Sequence, residues 1–391
     1  MSFATVASLV DAIRQYHLLE SAQLEQLPTL QSEAADPRTL ARRLIEKDWL
    51  TPFQVNHLLQ GRAHNLLLGP YIILERLGEG GTGQVYKARH QRMRRVAALK
   101  VIRRELLTEA EVIARFYREI QVASQVAHPN VVHAYDAGPN GETHFLAMEY
   151  VKGVDLHRLV KQHGWLPVEQ ACDYVAQAAR GLQHIHEHGL VHRDIKPSNL
   201  LLTDANPPAV NQAVVKILDL GLARFERPLQ GELTGTFTPV GGVMMGTPDY
   251  MAPEQALDMH QADIRSDIYS LGCTLYYLLT AQPPFPGGTL AQKLLWHQQS
   301  KAPPVSGLRP EMPARVQAVL DRMLAKSPAE RHLTPMAVVH DLEGAVNGQS
   351  LPVALHVAPG ENEAAAAAIP VTEADALAQL DELPSAIHSA T

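Results

Sequence analysis

A glycine-rich loop between two strand-like segments constrains the fold of this chain more than any other feature. Gly78, Gly80 and Gly83 follow the strand-like run Tyr71–Leu77 and precede a second run, Val85–Ala88. Because glycine has no Cβ, backbone amides in such a loop can approach phosphate oxygens closely. A dinucleotide-binding fold uses the same glycine spacing, but its loop opens into a helix, with an acidic residue about 20 residues further on. The second strand argues against that fold and indicates a hairpin that covers a phosphate-bearing ligand.

A third strand places a lysine among apolar residues. Lys100 lies in the run Val96–Ile102, and its neighbours on both sides are apolar. A lysine in such surroundings needs an anionic partner. The best candidate is Glu119, on a helix predicted to begin at Thr108 with Glu111 completing a capping box. The apolar stripe of that helix comprises Ile113, Phe116, Ile120 and Ala123.

The stretch Val191–Leu201 combines three side chains that suit phosphoryl transfer. Asp194 offers a carboxylate, Lys196 a cation and Asn199 a carboxamide, between apolar flanks. A carboxylate can orient an attacking hydroxyl group and take its proton. Lys196 can stabilise the moving phosphoryl group, and Asn199 can bind Mg²⁺ through its side-chain oxygen. The stretch therefore predicts a phosphoryl-transfer site.

The motif His192-Arg193-Asp194, completed by Asn199, resembles the catalytic loop of the eukaryotic-type (Hanks-type) serine/threonine protein kinases of bacteria. The other motifs follow in the family's order, and the resemblance covers residues from about 70 to 345. It implies an α+β, two-lobed protein kinase fold, with a small, mainly β lobe over 70–151 that contains one key helix. A large, mainly α lobe is implied over 152–345. The implied activity is transfer of the γ-phosphoryl group of ATP to serine or threonine hydroxyls of proteins.

The resemblance also implies ligands and roles for individual residues. The ligands are ATP and Mg²⁺, with Mn²⁺ as an alternative metal, and Met148 resembles the gatekeeper at the start of an adenine-binding hinge. The residues with implied catalytic roles are Lys100, Glu119, Asp194, Lys196 and Asn199, and the implied metal ligands are Asn199 and Asp219. The implied nucleotide-binding residues are Leu77, Gly78, Glu79, Gly80, Gly81, Thr82, Gly83, Val85, Ala98, Lys100, Met148, Glu149, Val151 and Leu201.

Two structural interactions are implied in the large lobe. The motif Gly246–Glu254 resembles the end of an activation segment, in which Glu254 pairs with Arg331 in a buried ion pair. The run Ser266–Gly272 opens a helix that is apolar on most faces, which is typical of a buried central helix. Asp267 in that helix is expected to accept hydrogen bonds from the catalytic-loop backbone.

The segment from Leu222 to Tyr250 is rich in threonine and resembles an activation segment. We expect autophosphorylation at Thr236 or Thr238, because a phosphothreonine would supply an anion for Arg193. Thr247 is expected to contact the catalytic loop, which favours serine or threonine over tyrosine as the target.

The two ends of the chain differ from the central part. Residues 1–68 predict a helical leader, since Asp36-Pro37 and Thr51-Pro52 each pair a capping residue with a proline at the first helical position. The leader is interpreted either as a docking or regulatory module or as a helical extension that packs on the lobes. Residues 346–391 are alanine-rich and acidic, which predicts a low-complexity, disordered tail.

Composition excludes several classes of protein. The net charge of −7 argues against a general nucleic-acid binder. No secretory signal is apparent, and the longest apolar run, Ile268–Ala281, is too short to cross a bilayer. Cys172 and Cys273 lie in apolar helical patterns and are interpreted as reduced core residues. We therefore expect a cytoplasmic protein. The resemblance to protein kinases implies protein substrates, with self-association as a route to autophosphorylation between two copies.

Alternative interpretations carry less weight. A non-catalytic scaffold would not need Lys100, Asp194 and Asp219 all in place. A small-molecule kinase of the same fold usually lacks the Ala-Pro-Glu segment and its arginine partner, which are both present. His184 and His188 have a spacing that suits zinc, but a third ligand is missing at a convincing position, so a structural role is favoured.

Overall fold

The computed structural model describes residues 5–107, 109–203, 213–219, 248–257 and 262–347. This part of the chain forms an α+β fold with a small lobe built on one β-sheet and a large lobe built mainly of helices. A layer of helices precedes the small lobe. The predicted fold class is therefore confirmed.

The leader forms one compact unit against the small lobe. Its helices are α1 (Val6–Gln15), α2 (Ser21–Ser32), α3 (Pro37–Glu46) and α4 (Pro52–Leu59). Their apolar sides share one buried cluster, and Ile72, on a strand of the small lobe, belongs to that cluster. Because the two parts share a core, the structure favours the interpretation of the leader as a helical extension that packs on the lobes.

The small lobe is an antiparallel sheet with the strand order β1-β2-β3-β4-β6-β5. The helix α5 packs on the apolar face formed by β4, β5 and β6. The strands are β1 (Leu67–Leu68), β2 (Tyr71–Gly80), β3 (Gly83–His90), β4 (Val96–Ile102), β5 (Ala134–Asn140) and β6 (Thr143–Glu149), and α5 spans Ala110–Ala123.

The glycine-rich loop is shorter than the sequence predicts, because both strands continue into it. β2 extends to Gly80 and β3 begins at Gly83, so only Gly81 and Thr82 form the turn. A Cβ atom on Gly83 would lie 1.9 Å from the Val101 carbonyl oxygen, which no side chain tolerates. Sheet packing therefore requires glycine at position 83. Cβ atoms on the other loop glycines would meet nothing within 4 Å, so their side of the loop is open.

Helix α5 begins differently from the predicted capping box. Its N-cap residue is Glu109, whose backbone is extended and whose side chain makes no capping hydrogen bond. Thr108, the predicted cap, lies outside the described residues. The predicted apolar stripe is confirmed: Phe116, Ile120 and Ala123 are buried and Ile113 packs beside them.

The large lobe surrounds the helix α9 (Ile264–Thr280), whose residues from Ser266 to Thr280 are all buried. This confirms the predicted central helix. Cys172 and Cys273 are buried free thiols, and burial raises the pKa of Cys172 to about 12. The other elements are β7 (Gly153–Asp155), α6 (Leu156–His163), α7 (Val168–Glu187), β8 (Leu200–Thr203), β9 (Val215–Ile217), α8 (Pro253–Leu257), α10 (Leu290–Gln299), α11 (Ala314–Met323) and α12 (Pro335–Asn347).

Among the residues that the structure describes, no helix combines the length and the apolar character needed to cross a bilayer.

A buried ion pair joins α8 to the segment that precedes α12. Arg331 donates to both carboxylate oxygens of Glu254, at 2.7 and 2.9 Å, and the Ser266 hydroxyl donates to the same carboxylate at 2.6 Å. Burial raises the pKa of Glu254, but the bonds from Arg331 and Ser266 outweigh burial, and the pKa is lowered from its ordinary value of 4.5. The predicted pair is therefore confirmed, and its carboxylate is ionised at neutral pH.

We predict that Arg331→Met destabilises the large lobe strongly at neutral pH. The substitution leaves the Glu254 carboxylate buried without its main partner, which costs about 3–5 kcal/mol of unfolding free energy. Because folding lowers the pKa of Glu254, its ionised carboxylate stabilises the folded wild type fully above the ordinary pKa of 4.5. This contribution to stability is lost as the pH falls through the lowered pKa of the folded state. The difference between the two proteins in urea unfolding should therefore narrow below about pH 4.5.

Arg322→Met is the matched control for this prediction. Arg322 pairs with Asp341 at 3.2 Å, but the two side chains are 50% and 45% exposed. An exposed pair contributes about 0–1 kcal/mol. Equal destabilisation by the two substitutions would show that the burial of the Arg331 pair has no special weight.

Candidate active site

The loop predicted to be catalytic lies between α7 and β8, and a residue of α9 holds its backbone. Asp267, which is fully buried, accepts hydrogen bonds from the backbone amides of His192 and Arg193, at 2.8 and 2.7 Å, and from His186 Nε2 at 2.9 Å. Arg193 has a left-handed backbone with φ of 66°. A non-glycine residue keeps this conformation only where its surroundings fix it. The predicted role of Asp267 as a backbone acceptor is confirmed, whereas sequence reasoning missed His186.

The three side chains predicted for phosphoryl transfer lie together. Lys196 Nζ is 3.0 and 2.8 Å from the two carboxylate oxygens of Asp194. Asn199 Nδ2 donates to the backbone oxygen of Asp194 at 2.8 Å and to its Oδ2 at 2.9 Å. These contacts fix the direction of the Asp194 carboxylate, which remains partly exposed.

A second cluster connects the small lobe to the end of β9. Lys100 Nζ lies 2.9 Å from Asp219 Oδ2, and the two side chains are 6% and 34% exposed. Burial raises the pKa of Asp219, but the Lys100 ammonium, with His192 and Lys196 nearby, outweighs burial, and the net pKa is lowered. The carboxylate is therefore charged at neutral pH.

The observed partner of Lys100 differs from the predicted one. The sequence predicts Glu119, but the ion pair that the structure records for Lys100 is with Asp219. Glu119 is half-buried on α5, and its pairing with Lys100 stays a prediction.

The two clusters are linked through the backbone. Leu218, just before Asp219, donates its amide to the Asn199 carbonyl at 2.9 Å and accepts from His192 Nε2 at 2.7 Å. Asp194, Asn199 and Asp219 are thus brought to one place, as predicted.

The donor atoms fit a hard divalent cation. Carboxylate and amide oxygens are the ligands that Mg²⁺ and Mn²⁺ prefer. Because the Asn199 amide nitrogen is bonded to Asp194, its side-chain oxygen is the atom left for a metal. Asp219 contributes an ionised and partly exposed carboxylate. Asn199 and Asp219 are therefore suitable metal ligands.

Apolar residues predicted to contact the adenine ring gather beside these clusters. Ala98 on β4 pairs in register with Met148 on β6, and Val85 pairs with Lys100. Val85 and Val151 pack on the buried cluster that contains Ala98 and Met148. Leu201 lies on β8, opposite Lys216 of β9. Whether these residues bind adenine stays a prediction.

Two of the predicted nucleotide-binding residues have side chains engaged elsewhere. The Glu79 carboxylate forms ion pairs with Arg76 and with Arg103, the latter at 3.2 Å. The Glu149 carboxylate pairs with Lys216 at 3.0 Å. If these two residues contact a nucleotide, they must do so mainly through their backbones.

Arg103 is a site residue that sequence reasoning missed. Its amide donates to the Thr82 carbonyl at 3.0 Å and its guanidinium to the Gly80 carbonyl at 3.2 Å, so it holds the tip of the glycine-rich loop. The available signal was its position as the first polar residue after β4.

Leu77, at the base of the loop, is 39% exposed.

Some predicted features lie outside the described residues. Besides Thr108, they are the activation-segment threonines Thr236, Thr238 and Thr247 and residues 348–391 of the predicted tail. By contrast, the histidines weighed as zinc ligands are described: His184 stacks on His128 with ring centroids 5.3 Å apart and contacts His188 edge to face at 4.5 Å. These ring contacts support the structural interpretation of His184 and His188.

Comparison with known proteins agrees with this geometry. The chain is 34% identical over 313 residues to the serine/threonine-protein kinase PknB of Mycolicibacterium smegmatis, covering 79% of this chain and 48% of the relative. It is 35% identical over 283 residues to PknB of Mycobacterium tuberculosis, covering 71% and 43%. The chain thus spans less than half the length of these curated relatives.

Solved structures give the same result for the fold. The crystal structure of the Mycobacterium tuberculosis PknI kinase domain aligns with a TM-score of 0.55 and 26% identity, covering 71% of this chain and 97% of that domain. Residues 71–342 match the protein kinase domain family. Since this match covers more than half of the sequence and agrees with the fold and the site, the chain belongs to the protein kinase family.

Proposed function

We propose that this chain is a serine/threonine protein kinase that transfers the γ-phosphoryl group of Mg-ATP to protein hydroxyls. The observation that carries the proposal is the Asp194 carboxylate, held by Lys196 at 2.8 Å and by Asn199 at 2.9 Å. The Lys100–Asp219 pair supports it, because it places a cation and an anion beside that carboxylate. The similarity to bacterial serine/threonine kinases supports the choice of target hydroxyl.

In the proposed reaction, this chain's residues position groups and move a proton. Asp194 orients the substrate hydroxyl and accepts its proton. Lys196, already bound to that carboxylate, stabilises charge on the group being transferred. Asn199 and Asp219 would hold Mg²⁺, which supplies charge neutralisation at the phosphates. Lys100 would bind the α- and β-phosphates.

We predict that Asp194→Asn lowers turnover on a generic protein substrate by about two to four orders of magnitude. The amide keeps the shape of the side chain but cannot take a proton. Nucleotide affinity should persist, because the groups proposed to hold the phosphates are unchanged. A radiolabelled ATP assay measures turnover, and calorimetry with AMP-PNP and Mg²⁺ measures binding. Near-normal turnover would remove Asp194 from the mechanism, and a wild type that transfers no phosphate would favour a scaffold.

We predict that Lys100→Met impairs turnover without unfolding the protein. Methionine keeps the apolar stem of the side chain but removes the cation that lies 2.9 Å from Asp219. Because burial raises the pKa of Asp219 and Lys100 opposes this effect, the pKa of Asp219 should rise in the variant. The melting temperature without nucleotide should stay close to that of the wild type. A large fall would instead identify Lys100 as mainly a structural residue.

We also propose that the kinase activates itself by phosphorylating Thr236 or Thr238. A phosphothreonine carries about −1.5 to −2 charges and strong acceptors that suit Arg193, a cation beside the catalytic carboxylate. Mass spectrometry should find phosphate in residues 234–238 of the wild type and not in Asp194→Asn. Mixing the wild type with Asp194→Asn should phosphorylate the variant if two copies react with each other. Fully active enzyme with this segment unmodified would contradict the proposal.

A further inference from the structure

The strand β2, which leads into the glycine-rich loop, pairs with another strand along only a short part of one edge. β1 contributes only two residues, and these pair with Tyr71 and Ile72 of β2. From Ile73 onward, the corresponding edge of β2 has no strand beside it within the described residues. The register against β3 also shifts here, from Ile73 opposite Ala88 to Glu75 opposite Lys87, so Leu74 is an extra residue that forms a bulge.

The leader supplies the hydrogen bonds that β1 no longer provides. Gln54 Nε2 donates to the Ile73 carbonyl at 2.9 Å, and the Thr51 hydroxyl donates to the Leu74 carbonyl. Gln54 is only 2% exposed, so its bond is shielded from water. The beginning of α4 thus continues the edge pairing of β2 across the bulge.

These two residues are also the capping box of α4. Thr51 Oγ1 accepts from the Gln54 amide at 3.2 Å, and Gln54 Oε1 accepts from the Thr51 amide at 3.0 Å. The box uses both side chains as acceptors only. Their donors, one hydroxyl proton and two amide protons, remain available, and the groups exposed at the bulge are carbonyl acceptors. One pair of side chains therefore fixes the start of α4 and the path of β2 together.

The leader also holds the other strand of the hairpin. Glu20 pairs with Arg89 at 3.1 Å, near the end of β3, and with Arg94 at 2.7 Å, in the turn that follows. At the opposite end, Arg103 holds the loop tip through Thr82 and Gly80. Residues between the bulge and the tip are largely exposed. This segment pairs with β3 along its length, with a second register shift between Arg76 and Gly78, and the contacts at its two ends add to that pairing.

We propose that Thr51 and Gln54 are positioning residues for the nucleotide loop, so that the leader tunes nucleotide affinity through β2. The inference rests on the proposed function only in taking the loop as the site of nucleotide binding. Neither residue touches the reacting groups. Loosening the bulge should let the loop sample more orientations, which weakens nucleotide binding more than it slows the chemical step.

Gln54→Glu tests the proposal with little change in the helix. Glutamate keeps the acceptor that caps Thr51, since a capping box accepts either residue. It replaces the donor to Ile73 with a carboxylate oxygen, which repels the Ile73 carbonyl and so loosens the bulge. In the full chain, we expect the Kd for AMP-PNP with Mg²⁺ to rise about two- to tenfold, the effect of one hydrogen bond. The KM for ATP should rise with it, while kcat and the KM for the protein substrate change less. In the absence of nucleotide, amide hydrogen exchange in residues 75–83 should be faster in Gln54→Glu than in the wild type.

The matched control is Gln292→Glu on α10. Thr289 and Gln292 form a capping box of the same sequence type, with bonds of 2.8 and 3.3 Å, but on the exposed surface of the large lobe. This substitution should change neither nucleotide affinity nor exchange. Thr51→Ser, which keeps the hydroxyl group, should behave as the wild type, whereas Thr51→Val should behave as Gln54→Glu.

The outcomes are distinct. Unchanged Kd and unchanged exchange in Gln54→Glu, or an equal loss of affinity in Gln292→Glu, would overturn the proposal. If Gln54→Glu does not fold, the comparison of Thr51→Val with Thr51→Ser decides in the same way, and equal behaviour of these two overturns it. A wild type that binds AMP-PNP but phosphorylates no protein would contradict the proposed function and not this inference.

Discussion

The candidate active site depends on the hydrogen bonds that the buried carboxylate of Asp267 accepts. A fully buried charge is costly unless donors surround it, and here two backbone amides and His186 bond to it. The amides belong to the residues just before Asp194, so the charge on α9 fixes the path of the catalytic loop. His192 also positions the next segment, because its ring bonds to the carbonyl of Leu218, just before Asp219.

An ion pair joins this part of the large lobe to the small lobe. Asp219 ends the segment held by His192, and its carboxylate bonds to Lys100 on β4. In partly buried surroundings this attraction is stronger than in water, which is why it lowers the pKa of Asp219 in spite of burial. Sheet, loop and central helix are therefore joined by one chain of polar contacts, which runs from Asp267 through His192 and Asp219 to Lys100.

Sequence reasoning succeeded where residues are close in the chain or where a pattern has one physical solution. The cluster of Asp194, Lys196 and Asn199 lies within six residues, and a helix apolar on most faces can only be buried. Contacts between distant parts of the chain were harder to predict. The ion pair between Lys100 and Asp219 joins two residues far apart in the sequence, and spacing alone does not reveal it. The glycine at 83 appeared to serve the ligand, but the nearby Val101 carbonyl, which only the folded sheet reveals, already requires it.

The two capping boxes of α4 and α10 show where this limit lies. Both read Thr-x-x-Gln, and both make the same local bonds. Local rules assign the acceptors of these side chains and leave their donors open. On α10 the box lies on the exposed surface, whereas on α4 the donors meet two carbonyls of a bulged edge strand. The edge and the bulge arise only when the sheet forms. The second role of Thr51 and Gln54, which is to bond to the edge of β2, therefore depends on the tertiary structure. The hydrogen-bond donors that local capping leaves unused are the groups that perform this second role.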